Sequence, residues 1–449
     1  MNSKQMINRI YIFLALFIFI SCSEDNEQPV LGTPEIYKIS ELSHQSFLLD
    51  WTAIVNAQSY ELDVATDEDF TQFAEGYQQA KVASDQVLVE GLMAGTKYYI
   101  RVKALYGSTT SPYSNIATST TLAAEGMESD TPLKSVVSTF NVGMAIRTDK
   151  FSAEHQQIFV REYDQITAEY EMKMDVMMPA EGQFDFSRAD ELVDFAVENG
   201  IEVHGHALIW HASTPSWVEN YAGTDAEFEL MVEDYIKTVV QHFSGKVHSW
   251  DVVNEAVDDQ GGVLRNSVFL ERMGPDYLKK CFQWAREADS QILLFYNDYN
   301  LCWDETKLNK VISIINDFES AGVDIDGVGF QVHISYNGPS AATIRQQAKK
   351  ITDLDLLLHF SELDVKVNPD NDIDRLTAER DEAQKQKYKE VVQIYNEIPS
   401  ASKFALTVWG LKDDESWIPA HQGHADWALM YHDDFSFKKA HTGFLEAVQ

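Results

Sequence analysis

Residues Ser249–Asp259 read "SWDVVNEAVDD". The run from Val247 to Val253 is aromatic and β-branched, the composition of a strand buried on both faces, and it stops on Asn254 and Glu255. Such a strand has helices outside it and packed side chains inside. A carboxylate at its tip then lies where a closed sheet opens to solvent. This stretch predicts a parallel barrel with its chemistry gathered at one end.

The flanking sequence repeats the pattern. "TFNVGMAI", "ITAEYEMK", "IEVHGHALIW", "VHSWDVVNE", "ILLFYND", "GVGFQVHI", "LLLHFSELDV" and "FALTVWG" read as strands. Helical segments intervene, such as "RADELVDFAVENG", with a 3.6-residue period and an Asn-Gly stop. Eight strand–helix repeats in about 310 residues predict an α/β fold, the (β/α)8 TIM barrel. A doubly wound sheet fits the count less well and would need a Gly-rich first turn.

In such a barrel the C-terminal strand ends build the functional face. Polar and aromatic residues gather there: Glu171 and Lys173 after the second strand, His206, Trp210 and His211 after the third, Asn254 and Glu255 after the fourth. Asn297 and Asp298 follow the fifth, Gln331 and His333 the sixth, Glu362 and Asp364 the seventh, and Trp409 the eighth. Packing alone gives no reason for this one-sided distribution. Glu255 and Glu362, on strands four and seven, face each other across the barrel axis. Paired carboxylates across a cleft suit glycosidic hydrolysis, where one donates a proton and the other attacks or activates water. A gap of about 5–5.5 Å retains configuration and a wider one inverts it; the sequence leaves that gap open.

The rest of the chain frames this domain. With 71 acidic and 35 basic residues the formal charge is −36, which disfavours nucleic acid and anionic membranes and suits a neutral partner such as a polysaccharide. Residues 1–22 read as an export signal: Lys4 and Arg9, an apolar run of 11 residues from Ile10 to Ile20, then Cys22. The Ser-Cys end resembles a bacterial lipobox, with Phe19 where leucine is usual, and "SEDNE" resembles a surface-export signal. Lipidation at Cys22 would tether the chain to the outer membrane at the cell surface, with plain secretion as the alternative. Residues 23–30 form a tether. Residues 31–122 carry short alternating strands, "SFLLDW" to "IATSTTL", that predict a β-sandwich. Trp51, Leu92 and Tyr98 give it the look of a fibronectin type III module, read as a spacer. Residues 123–133 are a small, acidic linker, and 134–449 are the barrel. Cys281 and Cys302, without CxxC spacing, make no zinc site; they are one disulfide or, preferably, two buried thiols.

The barrel segments "EMKMD", "VHGHALIWH", "WDVVNEA", "YNDYN", "GVGFQVHI", "SELDV" and "TVWGLKDDESW" resemble glycoside hydrolase family 10, best known for retaining endo-β-1,4-xylanases, over the whole domain. The resemblance implies Glu255 as acid/base and Glu362 as nucleophile, with His333 orienting Glu362, Asp364 holding His333, and Asn254 on the sugar 2-hydroxyl. It implies that Glu171, Lys173, His206, Trp210 and Gln331 line the sugar site and that Trp409 and Trp417 stack on sugar. Trp217, Trp284 and Trp427 read as packing. No metal and no cofactor is needed. The family usually has asparagine and tryptophan where this chain has Tyr170 and Met174. Tyr170 thus becomes a substrate-contacting candidate that points to a decorated xylan or another β-1,4-glycan. The remaining alternative is a catalytically silent surface glycan-binding protein. A monomer is expected.

Overall fold

The computed structural model describes residues 31–40, 46–93, 96–121, 131–260 and 262–448. The expected leader 1–22 with Cys22, the tether 23–30 and linker residues 123–130 lie outside the described residues. The chain forms two compact units, Phe47–Gly91 with Lys97–Thr120 in the first and Thr121 onward in the second.

The first unit is the antiparallel sandwich. Ile36–Ser40, Phe47–Trp51 and Gln86–Val89 pair in one sheet; Ala80–Val82, Ser59–Ala65 and Lys97–Tyr106 pair in the other, with Thr109–Thr110 and Ala117–Thr120 on Lys97–Tyr106. Side chains alternate along Lys97–Tyr106, so Tyr98, Ile100 and Val102 turn inward into a core that also buries Leu49, Trp51 and Leu62, with the Tyr98 and Phe47 ring centroids 6.4 Å apart.

The second unit closes into a barrel of eight parallel strands: β1 Asn141–Ile146, β2 Gln165–Ala168, β3 Glu202–Trp210, β4 Ser249–Asn254, β5 Leu293–Asp298, β6 Gly327–Phe330, β7 Leu357–Lys366 and β8 Lys403–Val408. Strands pair in chain order, and β8 pairs with β1, which closes the ring and leaves no edge. Every residue of β4 is buried, as a strand between a helical shell and a packed interior must be. Cys281 and Cys302 are buried free thiols.

Two departures from the expected strands shape the open end. β2 stops at Ala168, and the chain leaves the sheet in a turn in which Lys173 N donates to Tyr170 O at 3.2 Å. β6 stops at Phe330, Val332 takes φ +58°, and the chain resumes as His333–Ser335 beside β7, His333 opposite Asp364. A β-branched residue with positive φ is costly and survives only where its surroundings over-determine it. Here the kink turns His333 toward β7.

Candidate active site

The open end holds a cleft of about 710 Å³. Lys173, His206, Trp210, Asn254, Glu255, Gln331, His333, Glu362, Trp409 and Trp417 all line it.

Glu362 is the enclosed carboxylate. Its Oε1 accepts from Asn297 Nδ2 at 2.8 Å, and its Oε2 lies 3.1 Å from His333 Nε2. The other ring nitrogen of His333, Nδ1, is 2.7 Å from Asp364 Oδ2, which also accepts from Trp417 Nε1 at 2.9 Å. Burial alone would lower the His333 value, but Asp364 and then Glu362 push it up to about 10, so both ring nitrogens carry protons and donate. Burial likewise works to raise Glu362. The His333 hydrogen bond, the neighbouring His206 and the Asn297 amide outweigh it and hold the Glu362 carboxyl below the usual carboxylate range.

Asn297 is fixed in turn. Its Oδ1 accepts from Ser361 Oγ at 2.6 Å, which forces Nδ2 toward Glu362 and toward Asn254 Oδ1 at 3.0 Å. Room for this amide comes from Gly329 on β6: a Cβ there would collide with Asn297 Oδ1.

Glu255 is half-buried at the rim. Its N–H extends the β4–β5 ladder to Asn297 O at 2.9 Å, and its backbone then turns to φ +57°. The turn ends the strand and presents the side chain to the cleft. Its Oε2 accepts from Trp210 Nε1 at 2.8 Å and its Oε1 from Gln331 Nε2 at 3.0 Å, while Asn254 Nδ2 stands 3.4 Å away. Arg265 Nε donates to the Glu255 carbonyl at 3.0 Å and its Nη2 to Asp259 at 2.7 Å and Tyr299 Oη at 2.5 Å; Tyr299 Oη also contacts Asp259.

Two carboxylates so unlike each other, one locked and ionised, one presented at the rim, are the pair that acid-assisted glycosidic cleavage requires. Residues 133–447 match Glycosyl hydrolase family 10, and residues 32–120 match the Fibronectin type III domain. The chain belongs to glycosyl hydrolase family 10. Its curated relatives include Endo-beta-1,4-xylanase Xyn10C of Cellvibrio japonicus, 36% identical over 341 residues that cover 69% of this chain and 56% of that protein. Endo-1,4-beta-xylanase A of Cellvibrio japonicus (strain Ueda107) is 38% identical over 341 residues, 69% of this chain and 55% of that one. The chain spans little more than half the length of either relative. A solved structure of a Xylanase10C mutant from Cellvibrio japonicus, in complex with xylopentaose, aligns at a TM-score of 0.73 and 28% identity over 92% of this chain and 90% of that one.

Within this family 10 barrel, a buried floor supports the cleft. Asp251 Oδ2 meets His206 Nδ1 at 2.8 Å and His204 Nε2 at 3.1 Å. Burial would raise the Asp251 carboxyl, and the two histidines hold it far below the usual range. His206 is thereby anchored through one nitrogen while its ring lines the cleft. Lys173 Nζ sits 4.4 Å from the centre of the Trp210 ring, a cation–π contact that ties the β2 and β3 ends together.

Two of the residues expected to meet sugar stand outside the cleft lining. Glu171 does not line the cleft: it is fully buried and accepts from Thr148 N at 2.9 Å, Thr148 Oγ1 at 2.7 Å and Arg188 Nη2 at 2.8 Å. Tyr170 also lies outside the cleft lining, 36% exposed, with the Arg188 and Arg147 guanidinium carbons 5.4 and 5.7 Å from its ring.

Several lining residues had no role from sequence. Glu169 enters the cleft beside Lys173; burial, opposed by Lys173 and Arg147, pushes its carboxyl up to about 7. Tyr299, Asn300, Asp259, Lys366 and His421 also line it. Asn297 does carry a sequence signal, its place at the end of β5, but its link to Glu362 appears only in the folded chain.

Proposed function

We propose that this chain is a retaining, endo-acting hydrolase of β-1,4-xylan. The observation that carries the reading is Glu362, held ionised by His333 and Asn297 in the same cleft as Glu255. Glu362 attacks the anomeric carbon while Glu255 passes its proton to the leaving oxygen, forming a glycosyl ester. The ester consumes the negative charge of Glu362. Glu255, now a carboxylate, takes a proton from water, and that water opens the ester with net retention. Asn254 and His206 are within the cleft to bond hydroxyls that tighten as the anomeric carbon becomes cationic. The xylanase names of the Cellvibrio relatives support the choice of xylan.

The test is incubation with xylans, cellulose and mixed-linkage glucan while new reducing ends are counted. Release from xylan with a β-anomer as first product, seen by proton NMR, is the expected outcome. An α-anomer would refute retention, release from glucans alone would refute xylan as substrate, and binding without release would refute catalysis.

The enzyme acts outside the cell as a monomeric outer-membrane lipoprotein joined through Cys22, with the fibronectin-type unit as spacer. The support is the basic start, the 11-residue apolar run and the Ser-Cys end of the leader. Cys22→Ala should remove incorporated fatty acid label, and sedimentation of the mature chain should give the monomer mass.

A further inference from the structure

Beyond the catalytic cleft lies a second groove of about 570 Å³ that shares Asn300, His333 and Lys366 with it. Its distinctive wall is Trp303. Of the nine tryptophans in the chain, this one alone is exposed, at 45%. The exposure is built into the local backbone. Asn300, at φ +66°, opens a tight turn in which its carbonyl accepts from Trp303 N at 3.0 Å and Asp304 N at 2.8 Å. Asp304 then caps the helix Glu305–Ala321 by accepting from Lys307 N at 3.0 Å. Leu301 and Cys302 are buried under the turn, so it is nailed to the core while the indole stands outside.

The rest of the groove is uncharged apart from Lys366 and His333. Ser335, Asn337, Ser340 and Thr343 contribute hydroxyls and an amide, and among the described residues none of its lining side chains is a carboxylate. In a chain of formal charge −36 that is a local exception. A rigid indole face beside neutral donors and acceptors matches a pyranose, whose ring face is apolar and whose edge is hydroxylated. Through Asn300, His333 and Lys366 this groove continues the lining of the cleft beyond Glu362.

We propose that Trp303 is the stacking platform of an outlying subsite that binds a further β-1,4-linked pyranose of the substrate chain, remote from the bond being cleaved. The proposal rests on the xylanase reading of the cleft. Binding energy collected there serves long chains and is lost to short ones, so Trp303 sets chain-length preference.

The experiment compares kcat/KM for linear xylohexaose with that for an aryl β-xylobioside, in the full chain and in Trp303→Ala and Trp303→Phe. The hexaose-to-aryl ratio should fall about tenfold in Trp303→Ala, the size of one lost aromatic contact, and recover most of that in Trp303→Phe. Calorimetric titration of xylohexaose into Glu362→Ala with and without Trp303→Ala should show weakening of similar size. An unchanged ratio in a chain that cleaves xylan overturns the subsite alone. A wild-type chain that neither cleaves nor binds xylohexaose overturns the subsite together with the reading of the cleft.

Discussion

Glu362 on β7 and Glu255 after β4 are the same residue type at the same end of one barrel, yet their surroundings have little in common. Glu362 is enclosed, and both its oxygens meet donors that are themselves held, Asn297 by Ser361 and His333 by Asp364. Glu255 stands half-open at the rim on a left-handed backbone, steadied from the side by Trp210 and Gln331 and from behind by Arg265. The contrast fits the two jobs proposed for them. A nucleophile must be ionised and immobile at the moment of attack, whereas a group that gives up a proton and later takes one must keep access to the leaving oxygen and then to water.

That contrast can be broken at four points. The largest effect belongs to Glu362→Ala: kcat should fall on the order of 10⁵-fold, with xylo-oligosaccharide affinity by calorimetry within a few-fold of wild type. Near-normal turnover would mean that the enclosed carboxylate is structural. Glu255→Ala should lose on the order of 10²–10⁴-fold on xylan, the range of a general acid. It should lose much less in the first step on aryl xylosides with acidic leaving groups, and the glycosyl ester should then accumulate and be visible by mass spectrometry. An equal loss on all leaving groups would contradict its role.

His333→Gln sharpens the contrast through pH. Glu362 sits below its ordinary value, so its active, ionised form is present above that low pKa and lost as pH falls through it. Removing the His333 hydrogen bond should raise that pKa and move the acid limb of kcat/KM to higher pH, with turnover at neutrality down about tenfold. A drop in rate with an unmoved limb would point to a purely structural histidine. The smallest effect is expected for Arg265→Gln, which frees the Glu255 carbonyl but leaves the Glu362 pocket intact. A loss of a few-fold to about tenfold, larger for xylan than for aryl substrates, should leave the acid limb in place.

The acids of the candidate site were legible because a barrel strand obeys a simple rule. Polar residues gather toward the C-terminal strand ends, so "NE" after "WDVV" and the glutamate of "LLLHFSELD" mark the mouth, and Asn254, Glu255 and Glu362 do line the cleft, while Asp251, His359, Ser361 and Asp364 are polar residues buried in the same strands. The same rule failed within "EYEMK". Read as the end of the second strand, Glu171 and Lys173 both fall at the mouth. In the fold β2 has already ended at Ala168, and the turn that follows sends Glu169 and Lys173 into the cleft and Glu171 into a buried bond with Arg188. Turn geometry depends on what packs around it, here Thr148 and Arg188 from distant parts of the chain.

Sequence alone therefore determined the two units, the barrel and the two acids at its mouth, because periodicity and strand ends are local properties of the chain. Tertiary structure alone decided which acid is locked and which is free. Asn297, Ser361, His333 and Asp364 come from three different strands, and their hydrogen bonds exist only once the ring of strands has closed. The kink at Val332 likewise sits beside a contact between distant segments, Gln331 N donating to Asp298 O at 3.2 Å, which no local pattern records.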